Sequence, residues 1–187
     1  AGQCNDAYSA VQIASALAVM ELARLQNLLT ESSDFMQLSQ LYRSQGIPYR
    51  AAEVLEQAQA RETVTADIAW LKQKAQSWYE AREYRKAIKA YEAAAAVSAD
   101  GNLYAVMAQL SMQLYDFDGA LSASDQALAK GVKRPWQMHL LQGRAWFEKH
   151  EFLAAKAAFS KAANDQNASR QANDWITYID RLKTPLQ

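Results

Sequence analysis

The sequence predicts an all-α solenoid of antiparallel helix pairs, on three observations. A pattern of small and aromatic residues returns four times along the 187-residue chain. Each copy breaks near its middle, as two helices joined by a turn require. The last segment is apolar on one side only, which is what the end of a stacked array needs in order to stay soluble. The clearest copy runs from Ile68 to Asp100. Numbered from Ile68, it has Ala75 at position 8, Trp78 at 11, Tyr84 at 17, Ala87 at 20, Tyr91 at 24 and Ala94 at 27. Where the helices of a pair cross closely, only a hydrogen or a methyl group fits, and aromatic rings fill the wider gaps between crossings.

Residues 6–29 form one long helical pattern, or a helix pair with almost no turn, apolar on nearly every side. Ile13, Ala16, Met20 and Ala23 would take positions 17, 20, 24 and 27, with Tyr8, one residue out of register, as the position-11 aromatic, so residues 1–29 read as a partial N-terminal repeat, mostly second helix. A helix apolar all round needs burial on both faces. Either further repeats precede Ala1, the preferred reading, or this end packs against another chain. The chain begins without methionine, which reads as a processed or excised product.

Four helix pairs then occupy residues 30–168, at about 32–67, 68–100, 101–135 and 136–168. In the first, counted from Ser32, Ser39, Tyr42, Ala51, Leu55 and Ala58 stand at positions 8, 11, 20, 24 and 27 in order. Hydroxyls between Thr30 and Ser33 can cap its first helix, and Gly46 and Pro48 separate the two helices, with Pro48 in a tolerated first turn. The polar link ETVTAD ends in Asp67, a predicted N-cap for the second pair. That pair turns near Arg82 and Glu83, and its charged run from Glu80 to Glu92 reads as a solvated face with i,i+4 pairs.

The third pair, counted from Gly101, has Ala108, Phe117, Ala120 and Ala127 in register, and Lys130 and Gly131 close it with the expected C-terminal glycine. Its positions 11 and 24 are both serine, Ser111 and Ser124. Either Leu110, Leu114 and Tyr115 swing in to fill that gap or this joint is softer than the others. The fourth pair, opened by Pro135 and counted from Trp136, has Gly143, Trp146, Phe152, Ala155, Phe159 and Ala162 in register. Residues 169–187 are a capping helix and tail, with Trp175, Ile176, Ile179 and Leu182 on one stripe and Gln171, Asn173, Asp174, Asp180 and Arg181 opposite; Pro185 ends it.

Composition narrows the function. Twenty basic and twenty acidic residues cancel without long blocks of either sign, so no basic face for nucleic acid is expected. No stretch reaches the roughly 20 apolar residues of a membrane span. Cys4 is the only cysteine, which excludes an internal disulfide or a thiolate metal cluster. The preceding AGQ lacks the apolar residues of a lipid-attachment site. His139 and His150 are too far apart to ligate a metal from one helix face. There is no Gly-x-Ser-x-Gly elbow and no phosphate-cradling glycine loop. No catalytic residue, cofactor or metal is therefore expected, and the chain reads as a non-enzyme.

The starts at Ser32, Ile68, Gly101 and Trp136 lie 36, 33 and 35 residues apart, and this period with its small and aromatic alternation resembles the tetratricopeptide repeat of about 34 residues. The resemblance covers residues 32–167 and implies a right-handed α-α superhelix. In that family the concave wall is formed largely by positions 2, 5, 9, 12 and 13 of the first helices. Position 9 here is Gln40, Gln76, Gln109 and Arg144, and position 12 is Arg43, Tyr79, Met112 and Phe147. Position 5 is Met36, Lys72, Ala105 and Leu140. The glutamine row suits the backbone amides of an extended peptide, and Tyr79, Met112 and Phe147 supply apolar anchors beside it. Glutamine is also simply a good helix former on an exposed face. The basic-plus-asparagine clamp of chaperone-binding members is missing, since Lys72 is followed by Gln76 and the next repeat has Ala105 and Gln109.

A narrower resemblance rests on residues 16–58, on REYRKAIKAYEAAA, on the terminal TYID and above all on the turn Gly46-Ile47-Pro48-Tyr49. These are similar to bacterial tetratricopeptide proteins encoded beside TonB energy-transduction systems. That similarity implies the periplasm and a part in organising TonB-linked uptake. The expected function is a non-catalytic adaptor that binds a protein or peptide segment in its groove. The alternative is a structural subunit of an envelope complex that self-associates through its N-terminal helix.

Overall fold

The computed structural model describes residues 2–61, 64–98 and 100–182, with side chains from residue 11 onward. The expected positions of Cys4, Tyr8 and Pro185, and the start of the ETVTAD link, lie outside the described side chains. Among the described residues there are ten α-helices and no strands. They are α1 (Gly2–Leu25), α2 (Ser32–Ser44), α3 (Pro48–Ala60), α4 (Ile68–Glu80), α5 (Tyr84–Ala96), α6 (Gly101–Gln113), α7 (Phe117–Ala129), α8 (Pro135–Glu148), α9 (Phe152–Ala163) and α10 (Ser169–Leu182). The chain divides into two compact units, Ala1–Ala94 and Ala95–Gln187.

In both units the small residues of the repeat are the most deeply buried. Ser39 and Ala75 at position 8, Ala51 and Ala87 at position 20, and Ala58 and Ala94 at position 27 are enclosed in the first unit. Ala108, Ala120, Ala127, Ala155 and Ala162 are enclosed in the same way in the second. Gly143 shows why size is limited at the crossings: a β-carbon there would stand 2.5 Å from the Phe159 ring. Gly101 is similarly confined, its missing β-carbon falling 2.7 Å from the Ala127 carbonyl oxygen.

Position 15 ends the first helix of every pair in a left-handed residue, with φ of +71° at Gly46, +60° at Arg82, +58° at Tyr115 and +60° at His150. The chain can then reverse within three residues and start the second helix. Only the first pair uses glycine, which adopts this region without steric cost. Nothing lies within 4 Å of a β-carbon built on Gly46, so Gly46→Ala isolates the backbone term. It is expected to lower stability by about 1 kcal/mol, read from urea midpoints; an unchanged midpoint contradicts this account of the turn.

Several local expectations are corrected. The first helix of the first pair is not capped by a serine hydroxyl: Glu31 is its N-cap, and the Asp34 carboxylate accepts the Glu31 N–H at 3.3 Å. The charged side chains of the run from Glu80 to Glu92 are mostly exposed, as a solvated face requires, but Glu80 pairs with Arg43 on α2 and not with a cation on its own helix, and the Lys86 ammonium lies 4.2 Å from the Trp78 ring centre. Asp67, as expected, caps α4 by accepting the Trp70 N–H at 2.8 Å.

In the second unit, Leu110, Ser111 and Ser124 are all enclosed, but Tyr115 points outward and is 80% exposed. Its left-handed position at the turn directs the ring to solvent, against Phe117 at 6.3 Å. The Ser124 hydroxyl is satisfied within its own helix, donating to the Leu121 carbonyl at 2.8 Å.

The two ends differ. Helix α10 packs on α9 with Ala172 and Ile179 buried, Trp175 and Ile176 half-buried, and its polar face outward; Leu182, expected on the buried stripe, is exposed. Helix α1 is a single helix, not a pair, and packs on α2, with Ile13, Leu17, Met20 and Ala23 only half-covered. Ala16, assigned to the crossing position 20, is exposed because no first helix crosses it there.

Candidate protein-binding surface

The residues expected to bind a partner lie on the first helices of the pairs, α2 and α4 in the first unit and α6 and α8 in the second. Helical spacing brings positions 5, 9 and 12 to one face. The structure treats the two units differently.

In the first unit the face is occupied by its own polar network. The Arg43 guanidinium donates to both carboxylate oxygens of Glu80, at 2.8 and 2.6 Å, and to Gln40 Oε1 at 3.2 Å. Glu80 also accepts from Gln76 Nε2 at 3.0 Å, and Gln76 Oε1 in turn accepts the Tyr91 hydroxyl at 3.0 Å. This joins α2, α4 and α5 by groups that satisfy one another. The Arg43 hydrogen bond holds the Glu80 carboxyl below its ordinary range. Burial, with Tyr79 and Glu80 nearby, pushes the Tyr91 hydroxyl up to about 12.

Around that network, Gln73 Nε2 donates to the Met36 carbonyl at 2.8 Å, pinning α4 to α2. Lys74 reaches back to Gln59 Oε1 at 2.6 Å, and burial lowers its pKa. Lys72 is half-buried on α4. Tyr79 is exposed, its ring 6.2 Å from that of Tyr84.

In the second unit the face is open. Gln109 and Arg144 are exposed and Met112 is half-buried. A recess of about 280 Å³ lies between α6 and the entry to α8. Ala105, Val106 and Val132 give it an apolar floor, and Asn102, Gln109 and Gln137 supply amides around it. Lys133 and Arg134 complete the rim. Asn102 fixes the wall, since its Oδ1 accepts the Lys133 backbone N–H at 3.2 Å while its Nδ2 donates to Asp100 at 2.6 Å.

Phe147 stands apart from the others: its ring is 5.2 Å from Trp175, 5.9 Å from Tyr178 and 5.6 Å from Phe152. The capping helix covers it, so its contacts are internal.

Sequence reasoning missed Glu80, Tyr91, Lys133 and Arg134. The signal for Glu80 was available, because it stands at position 13 of its repeat, one of the wall positions. Asn102 and Gln137 likewise stand at position 2. Lys133 and Arg134 lie in the link before α8, where a helix index says nothing.

No protein-family model matches the chain, and no curated protein matches it. Solved structures do. A crystal structure of MamA superposes with a TM-score of 0.66 at 15% identity, over 89% of this chain and 90% of that one. A tetratricopeptide repeat-containing protein from Cytophaga hutchinsonii superposes with a TM-score of 0.64 at 15% identity, over 90% of this chain and 65% of that one. The fold is that of tetratricopeptide-type helical repeats. At such identities the likeness concerns fold alone, and binding has to be argued from side chains. Among the described residues no group of three His, Cys, Asp or Glu side chains is placed to hold a metal, and no helix is long and apolar enough to cross a membrane.

Proposed function

We propose that the chain is a non-catalytic scaffold that holds a segment of a partner protein on the first-helix face of its second unit. The observation that carries this is the contrast between the faces. In the first unit Gln40, Arg43, Gln76 and Glu80 satisfy one another, whereas in the second Gln109 and Arg144 are exposed and Gln109 lines a recess. Polar groups held only by water can be exchanged for those of a peptide with little loss. A fold of stacked helix pairs supports such a role, since its ladder of first helices is a binding wall.

The setting we assign is the periplasm and TonB-linked uptake, supported by the resemblance of the Gly46-Ile47-Pro48-Tyr49 turn and its flanking helices. A photo-crosslinking side chain placed at Gln109 or Met112 is expected to capture a specific protein from bacterial envelope extract. The same group at Ser122 or Ala157, exposed on second helices, is expected to capture none. Equal capture from both pairs of positions contradicts binding on the first-helix face.

A second reading is favoured by α1. Val11, Val19, Leu22 and Leu25 are each more than half exposed along it, and contiguous exposed apolar side chains are a feature of interaction sites. Self-association through this stripe predicts a mass that rises with concentration in light scattering and returns to that of a monomer in Val19→Asp/Leu22→Asp. A monomer at every concentration rules out that reading.

A further inference from the structure

We infer that the recess between α6 and α8 receives an acidic segment of the partner, one or more carboxylates meeting Lys133 and Arg134 while an adjacent apolar side chain enters over Val106 and Val132. This deepens the scaffold reading and rests on it. The argument starts from charge. Both cations are exposed, and among the described residues neither is paired with a carboxylate. The first turn of α8, which follows them directly, contains no acidic residue. Asp100, at the start of α6, is already engaged, accepting the Asn102 backbone N–H at 3.0 Å and its amide at 2.6 Å. A ligand carboxylate that meets either exposed cation gains charge-assisted hydrogen bonds without displacing an internal partner.

Shape adds to charge. The recess holds about 280 Å³, close to the lower end of small-ligand pockets and room for one or two side chains, not for a folded domain. Its floor is apolar and its rim amides can meet peptide N–H and C=O groups. The rim is also built, since the Asn102 side chain ties the Lys133 backbone to the start of α6. The cations therefore stand on a fixed support, which lowers the ordering cost of binding. On the first-unit face, by contrast, Arg43 has Glu80 as its internal counterion.

The test is selection of random twelve-residue peptides displayed on phage against the full chain, followed by fluorescence anisotropy with the selected sequences. Peptides rich in Asp and Glu are expected. Their affinity should fall at least tenfold in Lys133→Ala/Arg134→Ala, and should also fall when their carboxylates are changed to amides or when salt is raised from about 50 to 300 mM. Both positions are exposed, so circular dichroism should show the variant folded. Selected peptides without carboxylates, whose binding is weakened by Gln109→Ala but not by the double variant, overturn this inference and leave the scaffold reading standing. Enrichment of no sequence at all overturns both.

Discussion

Replacing Phe159 by alanine is expected to lower the unfolding free energy by about 3 to 5 kcal/mol, the largest effect of any single truncation in the second unit. Phe159 is wholly enclosed and stands at the crossing of α8 and α9, where Gly143 leaves room for its ring. Its ring also lies 5.3 Å from Trp175 in a stacked arrangement. Loss of the ring opens a cavity on both sides, and α8, α9 and α10 cannot all close on it. Hydrogen exchange should therefore accelerate in α10 as well as α9. The geometry also predicts a rescue. A methyl group at residue 143 collides with the native ring but fits beside a smaller side chain, so Gly143→Ala should harm the native protein and partly restore Phe159→Leu. A loss under about 1 kcal/mol, or additive effects of the two changes, would show that this crossing does not set the fit.

The second large effect concerns alkaline pH. The Tyr91 hydroxyl has an ordinary pKa of 10.0 and is pushed up to about 12 in the folded chain, first by burial. The folded state thus keeps a proton that the unfolded state releases. Stability from this group is fully present below pH 10 and is lost as pH rises towards 12. A difference of about two units corresponds to roughly 2 to 3 kcal/mol. Burial also raises Tyr42, which slopes the same way, and lowers Lys74, which slopes the opposite way because the folded state binds fewer protons there. Urea titrations between about pH 8 and 11.5 on wild type and Tyr91→Phe isolate the tyrosine. The variant should lose about 1 kcal/mol at neutral pH with the bond to Gln76 and have a shallower alkaline limb. Parallel limbs in the two proteins would mean that Tyr91 does not hold its proton in this way.

These results bear on function because Tyr91 closes the network that occupies the first-unit face. Within that network Gln40 and Gln76 help hold α2, α4 and α5 together, which supports the proposal that binding falls to the second unit. The glutamine row read from the sequence thus separates into two settings. Three residues share a repeat position, yet Gln40 and Gln76 have Arg43 and Glu80 beside them while Gln109 has Met112 and Gln113. The partners, not the position, decide what the side chain does.

The helix pairs, their turns and their crossings are legible in the residues alone. They depend on local signals: a spacing that puts small residues on one stripe, a proline or glycine at a break, an aspartate before a first turn. Each is set within one repeat, so it can be read without knowing the neighbours. Which polar groups of the first-helix face are taken and which are open was not legible, nor was the recess that gathers Lys133 and Arg134 against α6. Groups about 31 to 37 residues apart in the chain make those contacts, and their pairing depends on rotamer, reach and charge across helices. A Glu80 that reaches Arg43 and one that faces water have the same repeat position. Packing distinguishes them, because stacking α2 against α4 brings the Arg43 guanidinium within reach of the carboxylate, whereas an isolated helix would leave it in solvent.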